Sequence, residues 1–211
     1  LEATRRGVAW AIENRAAFPN VVLGAMQANE VTGFAGVPST FTLMLHRSNL
    51  DEVPLPTLRY ATVAGGALPP PRIAEWLQRG PKADFFVMYG ATEASARLTY
   101  LPPGDLVRKA GSIGRPIPNV EIVVVNDADD AARTGEIGEL VARGSNISCG
   151  YWNNPGATLK AWRNLWHHMG DQARIDEAGN FFFVDRSKDV IRRRGENISS
   201  FEMEGIFNQH P

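Results

Sequence analysis

Four residues in VMYGATE, at 87–93, have side chains or backbones suited to holding a nucleotide. Tyr89 offers a ring that can stack on a purine. Gly90 lets a backbone pass close to a ligand because it has no Cβ. The Thr92 hydroxyl can donate to a phosphate oxygen, and the Glu93 carboxylate can hold Mg²⁺ through oxygen. The ordinary reading of the same residues is a core tyrosine followed by a helix, with Thr92 as N-cap and Glu93 favouring the first turn. A second stretch, AGGALPP at 64–70, brings paired glycines, Gly65 and Gly66, then Ala67. Such a backbone can approach a flat ligand, or simply turn before a helix. Further on, Asp171 follows Gly170 in a Gly-Asp turn and Arg186 follows an apolar run. A carboxylate can accept from the two hydroxyls of a diol, and an arginine fork nearby can donate to ribose or phosphate. His167 and His168 are neighbours and point apart, so they are not expected to form a metal pair.

The elements that must carry these residues follow from pattern. GVAWAIEN (7–14), VTGFAGV (31–37), LRYATVAG (58–65) and ADFFVMYG (83–90) read as strands, the second of them buried. Between them, 18–30 reads as a helix with Val21, Val22, Ala25 and Met26 on one face. FTLMLHRS reads as a helix capped by Ser39 or Thr40, and 69–80 as a helix with prolines in its first turn and Gly80 at its end. That alternation implies a parallel sheet flanked by helices, with ligands received at strand carboxyl ends. After about residue 110 the strands shorten and Gly, Pro and Asp turns separate them, the texture of an antiparallel sheet or small barrel. A last helix is expected from Ser199 or Ser200. The expected organisation is an α/β subdomain at 1–110, a β-barrel-like subdomain at 111–187, and the start of a small α+β domain at 188–211.

Totals narrow the class. The 211 residues are 44% hydrophobic, enough for a sizeable core, and 22 basic against 23 acidic residues give net charge −1. No basic block points to nucleic acid, and no apolar run is long enough to span a membrane. The single cysteine, Cys149, excludes an internal disulfide and fits a reducing compartment, so cytoplasm is the expected location. No strand is followed by the glycine fingerprint of dinucleotide-binding folds.

Taken together and in order, AGGAL, VMYGATE, GSIGRPIPNVEI, GELVARGSNISCGYWNNPGAT, WHHMGD and DRSKDVIRRRGENISSFEME resemble the adenylate-forming superfamily over nearly the whole chain. The acyl-CoA synthetase branch is the most similar. The resemblance implies an ATP-dependent carboxylic acid–CoA ligase, with ATP, Mg²⁺ and CoA as cofactor and co-substrates and a place in fatty acid metabolism. It implies that Gly65, Gly66 and Ala67 flank adenine, that Tyr89 stacks on it beside Gly90, that Thr92 meets the α-phosphate and that Glu93 holds Mg²⁺. It assigns the ribose to Asp171 and Arg186, the interdomain hinge to Lys188 and the CoA tunnel to Gly195, and it sets the GVPS loop (36–39) beside the acyl pocket. Phe34, Met88 and Leu98 then hint at an apolar acid. Two alternatives remain: an adenylating enzyme with another acceptor, such as a carrier-protein thiol or oxygen, and a degenerate nucleotide-binding domain. The second is motivated by Met169, where the family has Thr or Ser. The run Arg192–Arg194 is either a solvated strand face or an attractor of phosphates. The family's phosphate loop and its adenylation lysine lie outside these residues. The chain by itself is therefore expected to be a fragment that gives no ATP–pyrophosphate exchange, and robust exchange by the isolated 211 residues would contradict this.

Overall fold

The computed structural model describes residues 9–15 and 17–186, and beyond them the backbone of two short strands. The chain divides into two compact units, Leu1–Phe86 and Val87–Pro211.

In the first unit, three helices accompany short strands: α1 (Pro19–Ala28), β1 (Gly33–Gly36), α2 (Pro38–Arg47), β2 (Tyr60–Val63), α3 (Pro70–Arg79) and the opening residues of β3 (Asp84–Tyr89). β1 and β2 pair in parallel, Gly33 opposite Tyr60 and Gly36 opposite Val63. The Asp84 N–H donates to the Arg59 carbonyl at 2.9 Å, which sets the start of β3 beside the start of β2. Each helix has proline in its first turn, where a missing N–H costs nothing. That device replaces the expected Ser39 or Thr40 cap: Val37 takes the N-cap position of α2 and no side chain caps it. The core of the unit is aromatic. The fully buried Phe41 ring meets Trp76 edge-on at 4.8 Å and Phe85 at 5.1 Å. In α1 the buried side chains are Pro19, Val22, Leu23 and Met26; Val21 and Ala25 are half-buried, so the buried stripe sits one residue over from the expected one. Two strand expectations are corrected. Residues 9–14 form no strand and leave Trp10 and Ile12 exposed, and β1 is half-buried rather than buried.

In the second unit the end of β3 pairs antiparallel with β4 (Thr99–Leu101), and β4 with β5 (Arg115–Pro116). The expected parallel sheet is thus mixed. The texture change after residue 110 is real. β6 (Val120–Val125), β7 (Gly138–Gly144), β9 (Trp166–Ile175) and β10 (Phe181–Arg186) form an antiparallel sheet in the order β10-β9-β7-β6, with β8 (Trp162–Arg163) pairing with β9. One short helix, α4 (Pro155–Ala161), intervenes, and the Asn154 side chain caps it by accepting from Ala157 N at 3.1 Å. Leu98, Ile122, Val124, Leu140, Ala173 and Phe181 are among the side chains that make the core here. Leu98 is fully buried in it and is not a pocket wall. β11 (Ile191–Arg193) and β12 (Glu196–Ile198) form a two-stranded antiparallel pair. The expected helix from residue 199 lies outside the described residues, as do Lys188 and Gly195. Among the described residues no helix is long and apolar enough to cross a membrane.

The hairpin β9–β10 carries Asp171 and Arg186, and a polar lock closes its turn. Asp176 accepts from the N–H groups of Ala178 and Asn180 at 2.9 and 2.8 Å, and from Lys109 Nζ at 2.7 Å. Burial acts to raise the Asp176 carboxyl, but Lys109 and Asn180 outweigh it and hold it at about 2. A carboxyl lowered by folding stabilises above its ordinary value near 3.8, and that stabilisation fades as pH falls towards 2. Asp176→Asn is therefore expected to lower stability at pH 7, by about 1 kcal/mol once solvent screening is allowed for. Its deficit should vanish between pH 4 and 2 when melting temperatures of variant and parent are compared; a deficit independent of pH would contradict this.

Candidate functional site

The site-bearing residues of the second unit lie on two features, a bulge in β9 and a short turn after β3. The Gly170-Asp171 pair sits inside β9, not in the turn expected from sequence. Against β7, Val141 faces His168 and Glu139 faces Gln172, so Met169, Gly170 and Asp171 together oppose Leu140. That is a bulge, and Gly170 takes a φ of +71° within it, a conformation that costs glycine little.

Glu139 clamps the bulge. Its Oε1 accepts from the Gly170 N–H at 3.2 Å and its Oε2 lies 2.8 Å from His168 Nδ1. Arg163 adds a contact to the same carboxylate at 3.3 Å. Met169 packs against the core. Its apolar side chain thus has a packing role where the family's hydroxyl was expected.

Asp171 emerges from the bulge between two partners. The Tyr89 hydroxyl donates to Asp171 Oδ2 at 2.5 Å across 82 residues of sequence. On the neighbouring strand Arg186 is its register partner, with Nε 3.6 Å from Oδ1. Asp171 is largely covered while the Arg186 side chain is 70% exposed. Burial, reinforced by the Asp171 carboxylate, pushes the Tyr89 phenol far above its ordinary value, so it stays a proton donor. The Asp171 carboxylate and the exposed guanidinium present an acceptor and a donor side by side, the pairing a ribose needs.

After Tyr89 the chain does not enter a helix. Thr92–Ala94 is a single 3₁₀ turn with Ala91 at its N-cap and no side-chain cap, so Thr92 is not the N-cap that the ordinary reading required. Ser95 and Ala96 then take φ of +48° and +76°, reversing the chain into β4. Gly90 is needed for that reversal: a Cβ there would run into the Ala96 carbonyl and the Arg97 Cα. Its smallness therefore serves the chain's own return. Thr92 is exposed. Glu93 is half-buried, and its Oε1 accepts from the Tyr151 hydroxyl at 2.7 Å. That bond holds the Glu93 carboxyl below the usual carboxylate range, ready to bind a cation. One such carboxylate, shared with phosphate oxygens, is how Mg²⁺ is commonly held.

His167 and His168, four and three residues before Asp171, are both buried. His167 stacks on Trp162 at 4.2 Å, and burial pushes its imidazole below the ordinary value. Among the described residues, no cluster of three or more His, Cys, Asp or Glu could hold a metal.

In the first unit, Gly65, Gly66 and Ala67 follow the end of β2 and are exposed, with Gly65 at φ +84°. A Cβ on Gly66 would press on the Pro38 ring. Sequence reasoning missed Glu139 and Tyr151 as site residues. Both lie in the stretch GELVARGSNISCGYWNNPGAT, which carries part of the resemblance, but residue type and local spacing do not show what they contact.

Residues 3–152 match the AMP-binding enzyme family. The mitochondrial medium-chain acyl-CoA ligase of Rattus norvegicus is 34% identical over 193 residues, which is 90% of this chain and 31% of that protein. The structure superposes on O-succinylbenzoate coenzyme A synthetase of Bacillus subtilis, in complex with ATP and magnesium ion, with a TM-score of 0.82 and 28% identity over 92% of this chain and 39% of that one. It also superposes on an anthranilate CoA ligase in complex with anthranoyl-AMP, with a TM-score of 0.86 and 26% identity over 95% and 38%. The chain therefore spans about a third of the length of the proteins it matches.

Proposed function

The chain belongs to the AMP-binding enzyme family, and from that premise we propose that it supplies part of the nucleotide site of an ATP-dependent carboxylic acid–CoA ligase. The observation that carries this reading is the Tyr89–Asp171 hydrogen bond with Arg186 facing Asp171 from the next strand. It joins the MYGATE stretch to the bulged strand and sets a carboxylate beside an exposed guanidinium.

In this reading the acid's carboxylate attacks the α-phosphorus of ATP, pyrophosphate leaves, and the CoA thiol then displaces AMP from the acyl-adenylate. The protein's part is positioning and charge neutralisation. Asp171 accepts from the ribose hydroxyls while Arg186 donates. Tyr89, anchored through its hydroxyl, presents its ring to adenine; the assignment of Gly65, Gly66 and Ala67 to adenine rests on the resemblance alone. Thr92 donates to the α-phosphate from an exposed turn. Glu93 holds Mg²⁺, which neutralises phosphate charge when bound. Lys188 as hinge and Gly195 in the CoA tunnel complete the assignment. The packing of Met169 against the core supports reading it as a structural residue of a working site. CoA is favoured over a carrier-protein thiol because the three relatives described above are named as CoA ligases or synthetases. The acid is left open, since those relatives take acids as different as medium-chain acyl, succinylbenzoate and anthranilate.

The test uses the full polypeptide carrying this sequence with a panel of aliphatic and aromatic acids. AMP release is expected to require ATP, Mg²⁺, acid and CoA together. Asp171→Ala removes charged hydrogen bonds to ribose and is expected to raise the KM for ATP about a hundredfold while leaving that for CoA unchanged. AMP release that needs a carrier protein, or no release with any acid, would overturn the proposal.

A further inference from the structure

The loop after β7 grips the Thr92–Ala94 turn through contacts that the nucleotide assignment does not use. Asn146 Nδ2 donates to the carbonyls of Ala94 and Arg97, both at 2.9 Å. The Ser148 N–H donates to the Glu93 carbonyl at 2.7 Å, and the Tyr151 hydroxyl to the Glu93 carboxylate at 2.7 Å. Glu93 is thus held at its backbone and at its tip by residues 148 and 151 of one loop.

Tyr151 is itself fixed. Its N–H donates to Thr158 Oγ1 at 2.9 Å, and that hydroxyl donates to the Asn154 carbonyl at 3.0 Å, tying the loop to α4. Its ring meets Trp162 edge-on at 5.2 Å, and Trp162 stacks on the buried His167 of β9. The chain of rings runs from the bulged strand to Glu93.

We propose that Tyr151 is a positioning residue: its hydroxyl orients the Glu93 carboxylate so that Mg²⁺ meets it preformed. The inference rests on the reading of Glu93 as the metal-holding residue. A glutamate on an irregular turn would otherwise sample several rotamers, and fixing it only when the cation arrives weakens binding. The phenol takes one lone pair of Oε1 and the Glu93 backbone N–H also contacts the carboxylate, which with about four acceptor sites keeps others for metal. Phenylalanine at 151 keeps the ring contacts and removes only the hydroxyl.

The test is a double-mutant cycle in the full polypeptide, read by calorimetric titration with ATP in Mg²⁺ and in EDTA. Glu93→Gln is expected to abolish the gain in ATP affinity that Mg²⁺ provides. Tyr151→Phe is expected to weaken that gain about tenfold, with affinity in EDTA and melting temperature unchanged. In the Glu93→Gln background Tyr151→Phe should change nothing further. An equal effect of Tyr151→Phe in both backgrounds, or none in the parent, would overturn the positioning role while leaving Glu93 as the metal-holding residue. A Glu93→Gln variant with full Mg²⁺ dependence would remove both.

Discussion

The arrangement of the second unit depends on one irregularity, the bulge that sets Met169, Gly170 and Asp171 of β9 opposite the single residue Leu140 of β7. In a regular ladder the side chains of 169 and 171 would share one face and keep the strand's alternation. The bulge breaks that alternation. Met169 is packed against the core, while Asp171 meets the Tyr89 hydroxyl on one side and Arg186 on the other. Glu139 makes the irregularity affordable: it takes the Gly170 N–H that the ladder cannot use and ties down His168 just before the bulge. A buried N–H without a partner would otherwise cost more than a typical hydrogen bond contributes.

The second feature, the turn after β3, is held by contacts from outside itself. A single 3₁₀ turn followed by two residues at positive φ has little stability of its own. Asn146, Ser148 and Tyr151 supply what the missing helix would have supplied, satisfying carbonyls and fixing Glu93. The groups proposed to meet the nucleotide are thus placed by the antiparallel sheet and its loops more than by the strand that bears them.

This explains which parts could be read in advance. α3 was legible because proline at its start and Gly80 at its end leave little choice, and β3 because Phe85 and Val87 alternate into the core. The texture change near 110 was legible from turn residues alone. The Thr92 cap was not, because the choice between a helix and a turn is made by Asn146, some 50 residues away, and by the close packing of Gly90 on Ala96. The Gly-Asp bulge reads as a turn because glycine at positive φ serves both. Tyr89, Asp171 and Arg186 stand out by residue type, and the resemblance adds their roles; their convergence needed the register of β9 and β10. Glu139 and Tyr151 had no signal in spacing, since each acts on a residue that only the fold brings near.

The account's central claim is that Asp171, aimed by the bulge and held by Tyr89, receives the ribose of a nucleotide. It is tested most directly by calorimetry of AMP against 2′,3′-dideoxy-AMP on the full polypeptide, parent and Asp171→Asn. The account predicts that the parent prefers AMP by about tenfold or more, the worth of hydrogen bonds to a charged acceptor, and that the variant loses the preference. A parent that binds both equally, or a variant that keeps the full preference, would contradict it.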